Sequence, residues 1–221
     1  MTATREKTFL LARPEARVLD WIARRLPRWV MPDHLTALGV VAAIGIAAAY
    51  VLSNQDPVWL WAASGLLVVH WLGDSLDGTL ARVRRTERPR YGYYLDHLVD
   101  AVATAVIGLG LGLSPYMLLA TGLAIVIAYL VLSINTYLET QAFGVFSLGY
   151  GRLGPTEARL GLIALNTALA LGGGLQATVA GLGISLLDVI GLAAVALMLG
   201  GVAWRAARNL RVLAEREPYA A

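Results

Sequence analysis

At 221 residues the chain is long enough for one or two soluble domains, but its composition excludes a water-soluble globule. Apolar residues make up 57% and charged residues 15%, with a mean hydropathy of +0.63, whereas a soluble domain carries roughly a quarter charged residues. The net charge of +3 sits between apolar runs rather than on one face, so a membrane is expected as the partner and nucleic acid is not. The absence of cysteine removes disulfides and thiolate metal ligands.

Met1–Thr8 has no long apolar core followed by a small-residue cleavage site, and no cleaved signal peptide is expected. Between Glu15 and Val30, the residues Val18, Ile22, Leu26 and Trp29, with Trp21, share one side of a helix, and Arg17, Arg24, Arg25 and Arg28 fall largely elsewhere. That pattern suits an amphipathic helix lying in the membrane interface. A solvated cytoplasmic helix is the plainer alternative. Residues 1–31 form this segment and residues 32–221 a transmembrane domain.

A span needs about 20 mostly apolar residues, and only helices or closed barrels satisfy the backbone in lipid. Alternating strand patterns are missing, so the fold class is all-α integral membrane, with six transmembrane helices after the N-terminal amphipathic helix. They cover about Thr36–Ser53, Val58–Val83, Tyr93–Leu113, Tyr116–Leu138, Ala158–Leu175 and Leu182–Asn209. Turn signals separate them: Asn54-Gln55-Asp56-Pro57, Pro89 with Gly92, Ser114-Pro115 and Gly172-Gly173-Gly174.

The cations sort onto one side of this arrangement. Arg5, Lys7, Arg13, Arg17, Arg24, Arg25 and Arg28 precede the first span. Arg82, Arg84, Arg85, Arg88 and Arg90 surround the second loop, Arg152 and Arg159 the fourth, and Arg205, Arg208, Arg211 and Arg216 lie near the C-terminus. The other loops hold none. Both termini and the even-numbered loops are therefore expected in the cytoplasm.

Ionisable residues inside a span are expensive and default to function. Asp74 and Asp77 are three apart on the second span, Asp96 and Asp100 four apart on the third, so each pair shares a helix face. The two helices run antiparallel, which puts Asp77 level with Asp96 and Asp74 and Asp100 one turn deeper, so the four carboxylates converge about 10 Å inside the cytoplasmic boundary at 1.5 Å per residue. Four carboxylates so close repel one another. A hard divalent cation resolves the conflict, and oxygen-only ligation favours Mg²⁺ or Mn²⁺. Two such ions about 4 Å apart are a recurrent arrangement for displacement at phosphorus. The plainer reading is an aspartate–arginine network stapling the helices through Arg82, Arg84 or Arg85. Gly78 removes a side chain where a ligand would meet the helix, and Arg82 offers a fork for phosphate oxygens.

The run Asp74-Ser-Leu-Asp77-Gly78-Thr-Leu-Ala81-Arg82, followed by Gly92, Asp96 and Asp100 at the same three-residue separations, resembles the signature of the CDP-alcohol phosphotransferases, also called CDP-alcohol phosphatidyltransferases. Nine residues separate Arg82 from Gly92, against seven or eight usual in the family; the extra one falls in a loop, where length is cheap. Pro32-Asp33-His34-Leu35-Thr36 is similar to the family's Pro-Asn-x-x-Thr, with Asp in place of Asn.

The resemblance implies a transferase that moves a phospho-alcohol group from a CDP-linked donor to a lipid or small alcohol acceptor and releases CMP. It implies two metal ions on Asp74, Asp77, Asp96 and Asp100, with Asp100 also the general base, and a homodimer. Gly78, Ala81 and Arg82 would contact the nucleotide and diphosphate, and Asp33 and Thr36 the cytidine end. With no nucleophile in a recognisable setting, direct displacement is expected. The substrate branch stays open between a choline/ethanolamine phosphotransferase type and a CDP-diacylglycerol-dependent type. Asp96-His97 and Pro155-Thr156-Glu157 are similar to the first, but His97 suits an interface histidine equally and Glu157 a helix-terminal acid. Arg152 and Arg159 could receive an anionic acceptor. Two other classes use membrane carboxylates. An intramembrane Mg²⁺-dependent prenyltransferase would not require Gly78, Ala81 and Arg82, and a cation-coupled transporter usually shows repeats that this sequence lacks.

The cation sorting has a direct test. Reporter tags at the N-terminus, the C-terminus and the Arg88 loop should read cytoplasmic, and tags near Gln55 and Ser114 external. An external C-terminus would overturn six spans.

Overall fold

The computed structural model describes residues 11–144, 154–172, 176–179 and 182–217. Seven helices and one short hairpin follow in order: α1 Ala12–Ala23, α2 Pro32–Leu52, α3 Trp59–Arg84, α4 Pro89–Gly112, α5 Leu119–Phe143, α6 Pro155–Gly172, β1 Gln176–Val179, β2 Leu182–Ser185 and α7 Leu186–Arg216. Four of these helices, α2, α4, α5 and α7, are long and apolar enough to cross a membrane. Both α3 and α6 carry polar residues that face one another, as described below, which lowers their hydropathy. Arg152, the Gly173-Gly174 pair and the Met1–Thr8 segment lie outside the described residues.

Packing follows a simple succession of neighbours: α6 on α3, α3 on α2, α2 on α4, α4 on α5 and α5 on α7, with α1 laid against α3. Two apolar cores result. One joins Ile46 and Tyr50 of α2, Leu60 and Leu67 of α3, Leu111 of α4 and Leu187 of α7. The other joins Leu19 and Ala23 of α1, Leu35 of α2, and Leu76 and Leu80 of α3. A buried polar link crosses the first: Tyr50 donates to Asn166 Oδ1 at 3.1 Å, and Asn166 Nδ2 donates to Ser64 Oγ at 3.2 Å. Buried polar groups in an apolar surround are affordable only when paired in this way.

Several boundaries differ from the sequence expectation by three to seven residues, and two of the differences have a plain local cause. The N-terminal helix ends at Ala23 rather than continuing to Val30. Pro27 explains it, because a proline disfavours helical backbone at the residue before it. Leu19, Ala23, Ile22 and Leu26 turn toward α3, whereas Val18, Trp21 and Trp29 stay exposed. The last helix starts at Leu186, after a strand over Leu182–Ser185. Its start is set by a reciprocal cap: Ser185 Oγ accepts from the Asp188 N–H at 3.0 Å, and Asp188 Oδ2 accepts from the Ser185 N–H at 2.8 Å. Asp188 Oδ1 also accepts from the Leu118 N–H at 2.8 Å, tying α7 to the start of α5.

Helices α2 and α3 cross closely at Gly39 and Gly73. A Cβ added at Gly73 would lie 2.6 Å from Gly39 N, 2.7 Å from Leu35 O and 2.8 Å from Gly39 Cα. Small residues at crossings are how membrane helices bring their backbones together. Gly73 immediately precedes Asp74, so this contact fixes the depth and direction of the carboxylates that follow.

Gly73→Ala should therefore destabilise the protein. Overpacking against backbone costs about 1–3 kcal/mol, more than the ~1 kcal/mol that alanine gains over glycine in a helix. Gly65 on the same helix has nothing within 4 Å of an added Cβ, so Gly65→Ala should be neutral or stabilising. Thermal unfolding of both variants in detergent checks the contrast.

Candidate active site

The structure brings all four aspartates to one place between α3 and α4. Asp77 lies within electrostatic reach of Asp74 and Asp96. Asp100 lies within reach of Asp74 and Asp96, with the Asp74 carboxyl close enough for a hydrogen bond. Asp96, His97 and Asp100 each offer a donor atom within 4.8 Å of the others. This set, mainly carboxylate oxygen with one imidazole, fits a hard divalent cation.

Each carboxylate is held by neighbours. The Thr36 hydroxyl on α2 donates to Asp77 Oδ2 at 2.6 Å, and the Gly78 N–H points to Asp77 Oδ1 at 2.5 Å. Arg159 on α6 donates through Nη2 to Asp74 Oδ2 at 2.6 Å, with both side chains largely buried. Asp96 Oδ2 lies 3.3 Å from His97 Nδ1. The His97 ring stacks on Tyr137 of α5 (4.9 Å between centroids, 14° between planes) and meets Tyr93 edge-on at 4.2 Å. Tyr129 and Tyr137 of α5 both border Asp100.

The comparisons with known proteins bear on this cluster. Residues 29–204 match the family model for CDP-alcohol phosphatidyltransferase. The chain belongs to that family. It is 25% identical over 168 residues to cholinephosphotransferase 1 of Danio rerio, covering 70% of this chain and 42% of that protein. It is 29% identical over 141 residues to the CDP-diacylglycerol–serine O-phosphatidyltransferase of Encephalitozoon cuniculi, covering 59% of this chain and 35% of that one. It is 33% identical over 99 residues to the phosphatidylinositol phosphate synthase of Cutibacterium acnes, covering 44% of this chain and 45% of that one. The chain thus spans less than half the length of these relatives.

Among the CDP-alcohol phosphatidyltransferase signature positions, Gly78 and Ala81 lie half-buried on α3 and Arg82 is exposed beside them. A Cβ at Gly78 would meet only Arg82 Nη1, at 3.4 Å, which leaves this face of the helix open. Arg82 Nη2 donates to Thr79 Oγ1 at 3.0 Å, so its guanidinium lies back along its own helix. The Ala81 carbonyl accepts from the Thr86 N–H at 3.0 Å and closes α3, whose last turn ends with Arg85 in the left-handed region at φ 56°.

The arginine staple considered for Arg82, Arg84 and Arg85 takes another form. Arg84 donates to backbone carbonyls before α2: Pro27 O at 2.8 Å, Leu26 O at 3.2 Å and, closer still, Val30 O. Asp33, at the start of α2, accepts both oxygens' bonds from Arg88 Nη2 at 2.7 Å, and Arg88 also lies over the Tyr91 ring at 3.8 Å. The α3–α4 loop, with its extra residue, is thereby fastened to α2. Gly92 has open space at its Cβ position.

Three features escaped the sequence reading. The Arg159–Asp74 pair joins residues 85 apart, and no local pattern announces it. The Thr36–Asp77 bond depends on the Gly39/Gly73 crossing. Tyr137 is placed by the packing of α5 on α4, visible in sequence only as an aromatic on a polar stretch of an apolar helix.

Thr36 orients Asp77 without joining it covalently or by charge, and losing such a supporting bond typically costs about 10–100-fold in metal affinity or activity. Thr36→Val should show that loss, and Thr36→Ser should keep most of the wild-type Mn²⁺ affinity. Equal binding by Val and Ser variants would remove Thr36 from the site.

Proposed function

We propose that this protein transfers a phospho-alcohol group from a CDP-linked donor to a hydroxyl acceptor, releasing CMP, at the cluster of Asp74, Asp77, Asp96 and Asp100. The observation that carries the reading is the convergence of four carboxylates from α3 and α4 within a chain of this family. Oxygen ligands of that number are suited to two Mg²⁺ or Mn²⁺ ions, which when bound would neutralise charge on the diphosphate and on departing CMP.

The chain's own residues supply the rest. Thr36 and the Gly78 N–H hold Asp77 in one orientation. The open face at Gly78 and Ala81 admits the nucleotide next to the carboxylates, with Arg82 free to turn onto phosphate oxygens. Asp33 and Thr36 stand at the α2 end, toward cytidine. Asp100 takes the proton of the acceptor hydroxyl as its oxygen bonds to phosphorus. The bond from phosphorus to the CMP oxygen breaks, CMP leaves with the electron pair, and Asp100 returns its proton to solvent. His97, fixed between Tyr93 and Tyr137, adds a nitrogen donor beside Asp96.

The same reading sets α3 and α6 as the fifth and sixth membrane spans beside α2, α4, α5 and α7, with α1 at the cytoplasmic interface. Both termini and the carboxylates then face the cytoplasm, and the protein works as a homodimer in the membrane. The relatives' names divide between choline transfer and CDP-diacylglycerol-dependent synthesis, and the substrate branch stays open between them.

Purified protein incubated with CDP-choline, CDP-ethanolamine or CDP-diacylglycerol, and analysed for CMP and lipid product, decides the donor. CMP release with none of them would overturn the reading. Asp77→Asn and Asp100→Asn should both lose turnover, by about 10²–10⁴-fold for removal of the base alone. Asp100→Asn should retain Mn²⁺-dependent donor binding better than Asp77→Asn. Near wild-type turnover in Asp100→Asn would remove it from catalysis.

A further inference from the structure

Glu15 lies outside the carboxylate cluster, on the helix that precedes the first span, yet it joins two helices of the site. Its Oε1 accepts from Trp71 Nε1 of α3 at 2.9 Å and from the Thr156 hydroxyl of α6 at 2.9 Å. The tie is returned from the other side. Glu157 Oε1 accepts from the Leu11 N–H, at the start of α1, at 2.9 Å, while its Oε2 accepts from the Gly154 N–H at 2.9 Å. One carboxylate on α1 thus grips α6, and one on α6 grips α1.

The partners of Glu15 are placed with a common logic. Trp71 precedes Asp74 by three residues on α3, and Thr156 precedes Arg159 by three on α6, so each shares a helix face with one member of the Arg159–Asp74 pair. The grip therefore acts one helical turn from both ends of that pair. Among the described elements α6 packs chiefly on α3, so few other contacts fix the position of its first turn. Apolar packing of Leu19 and Ala23 near Leu76 and Leu80 keeps α1 on α3, and Asn166 bonds to Ser64 farther along α6, which leaves the hydrogen bonds of Glu15 and Glu157 to hold its first turn.

We propose that Glu15 is a positioning residue: through Trp71 and Thr156 it clamps the first turn of α6 onto α3 and so keeps the Arg159 guanidinium on Asp74. The inference rests on reading Asp74 as a metal ligand. Arg159 is then an internal cation that a divalent ion must displace from Asp74, and the clamp sets how strongly it competes. Loss of the clamp lets α6 withdraw and leaves Asp74 open.

The test measures Mn²⁺ affinity of the purified full chain without nucleotide, alongside hydrogen exchange of the α6 N-terminus. Glu15→Ala should bind Mn²⁺ several-fold more tightly than wild type and exchange faster at residues 157–161. Glu15→Gln retains an acceptor oxygen for both bonds and should match wild type in both readouts. Arg159→Gln should tighten Mn²⁺ binding similarly, and Glu15→Ala added to Arg159→Gln should change it no further, because both act through one contact. Additive effects, or a Glu15→Gln variant as altered as Glu15→Ala, would overturn the proposal. Should Glu15→Ala fail to fold, Thr156→Val removes only the α6 half of the clamp and is expected to give the same two changes. If wild type binds no Mn²⁺, the metal reading of the cluster fails, and the exchange data still decide whether Glu15 holds α6.

Discussion

The backbone contact between α2 and α3 at Gly39 and Gly73 is the constraint on which the site depends. Without side chains at the crossing, the two helices approach until Gly73 lies against the Leu35 carbonyl and the Gly39 amide. Only at that distance can the short Thr36 side chain, one turn from Gly39, reach Asp77 on the neighbouring helix. The contact also orders α3 just before Asp74, so its direction is inherited by both carboxylates. The same device recurs farther out, where Gly110 of α4 meets Ala47 of α2 and Gly122 of α5 meets Gly108. In lipid there is little hydrophobic drive between helices, and packing of this kind carries the association.

The parts of this architecture that are local in sequence were legible there. Carboxylates three and four apart must share a helix face, whatever the fold, and two such pairs flanking a short cationic loop must meet if the helices are antiparallel. That argument led to Asp74, Asp77, Asp96 and Asp100 as neighbours, and apolar runs between turn signals gave α2, α3, α4 and α5 within about five residues. It fared worse where a boundary depends on a cap or a proline. The Pro27 stop to α1 and the Ser185–Asp188 cap of α7 both carry sequence signals, but an apolar run extending through them outweighed those signals. Long-range polar partners were out of reach. Arg159 was noticed as a cation near the site, and nothing in its neighbourhood could say that it meets Asp74 rather than a substrate.

Hydropathy alone gives α3 and α6 less membrane character than their neighbours, and the structure supplies the reason. Their polar residues answer each other: Asp74 with Arg159, and Ser64 with Asn166, which also holds Tyr50 of α2. A polar group inside a bilayer costs several kcal/mol when unpaired. Pairing on the seam between two helices lets each carry functional residues while its outer face stays apolar. The arrangement also gives α6 two anchors on α3 two helical turns apart, Arg159 near its start and Asn166 farther along. Glu139 of α5 plays a comparable part on the other flank, accepting from Arg205 and, at 2.7 Å, from Asn209 of α7.

Charge explains why such a site is kept only partly neutral. Four carboxylates face one another, and Arg159 is the guanidinium within reach of Asp74 and Asp100. With every carboxylate ionised, the cluster and Arg159 together carry about three negative charges in a half-buried setting, a standing repulsion. Had the cluster been balanced by four arginines, no cation from solution would gain by entering. Had Arg159 been absent, Asp74 would lose its guanidinium partner in a largely buried position, where an uncompensated charge is costly. Among the described residues Arg159 satisfies Asp74 and leaves the cluster short of positive charge. On the proposed function that shortfall would favour divalent cations, and two of them would turn the site positive by about one charge, the sign that suits a diphosphate.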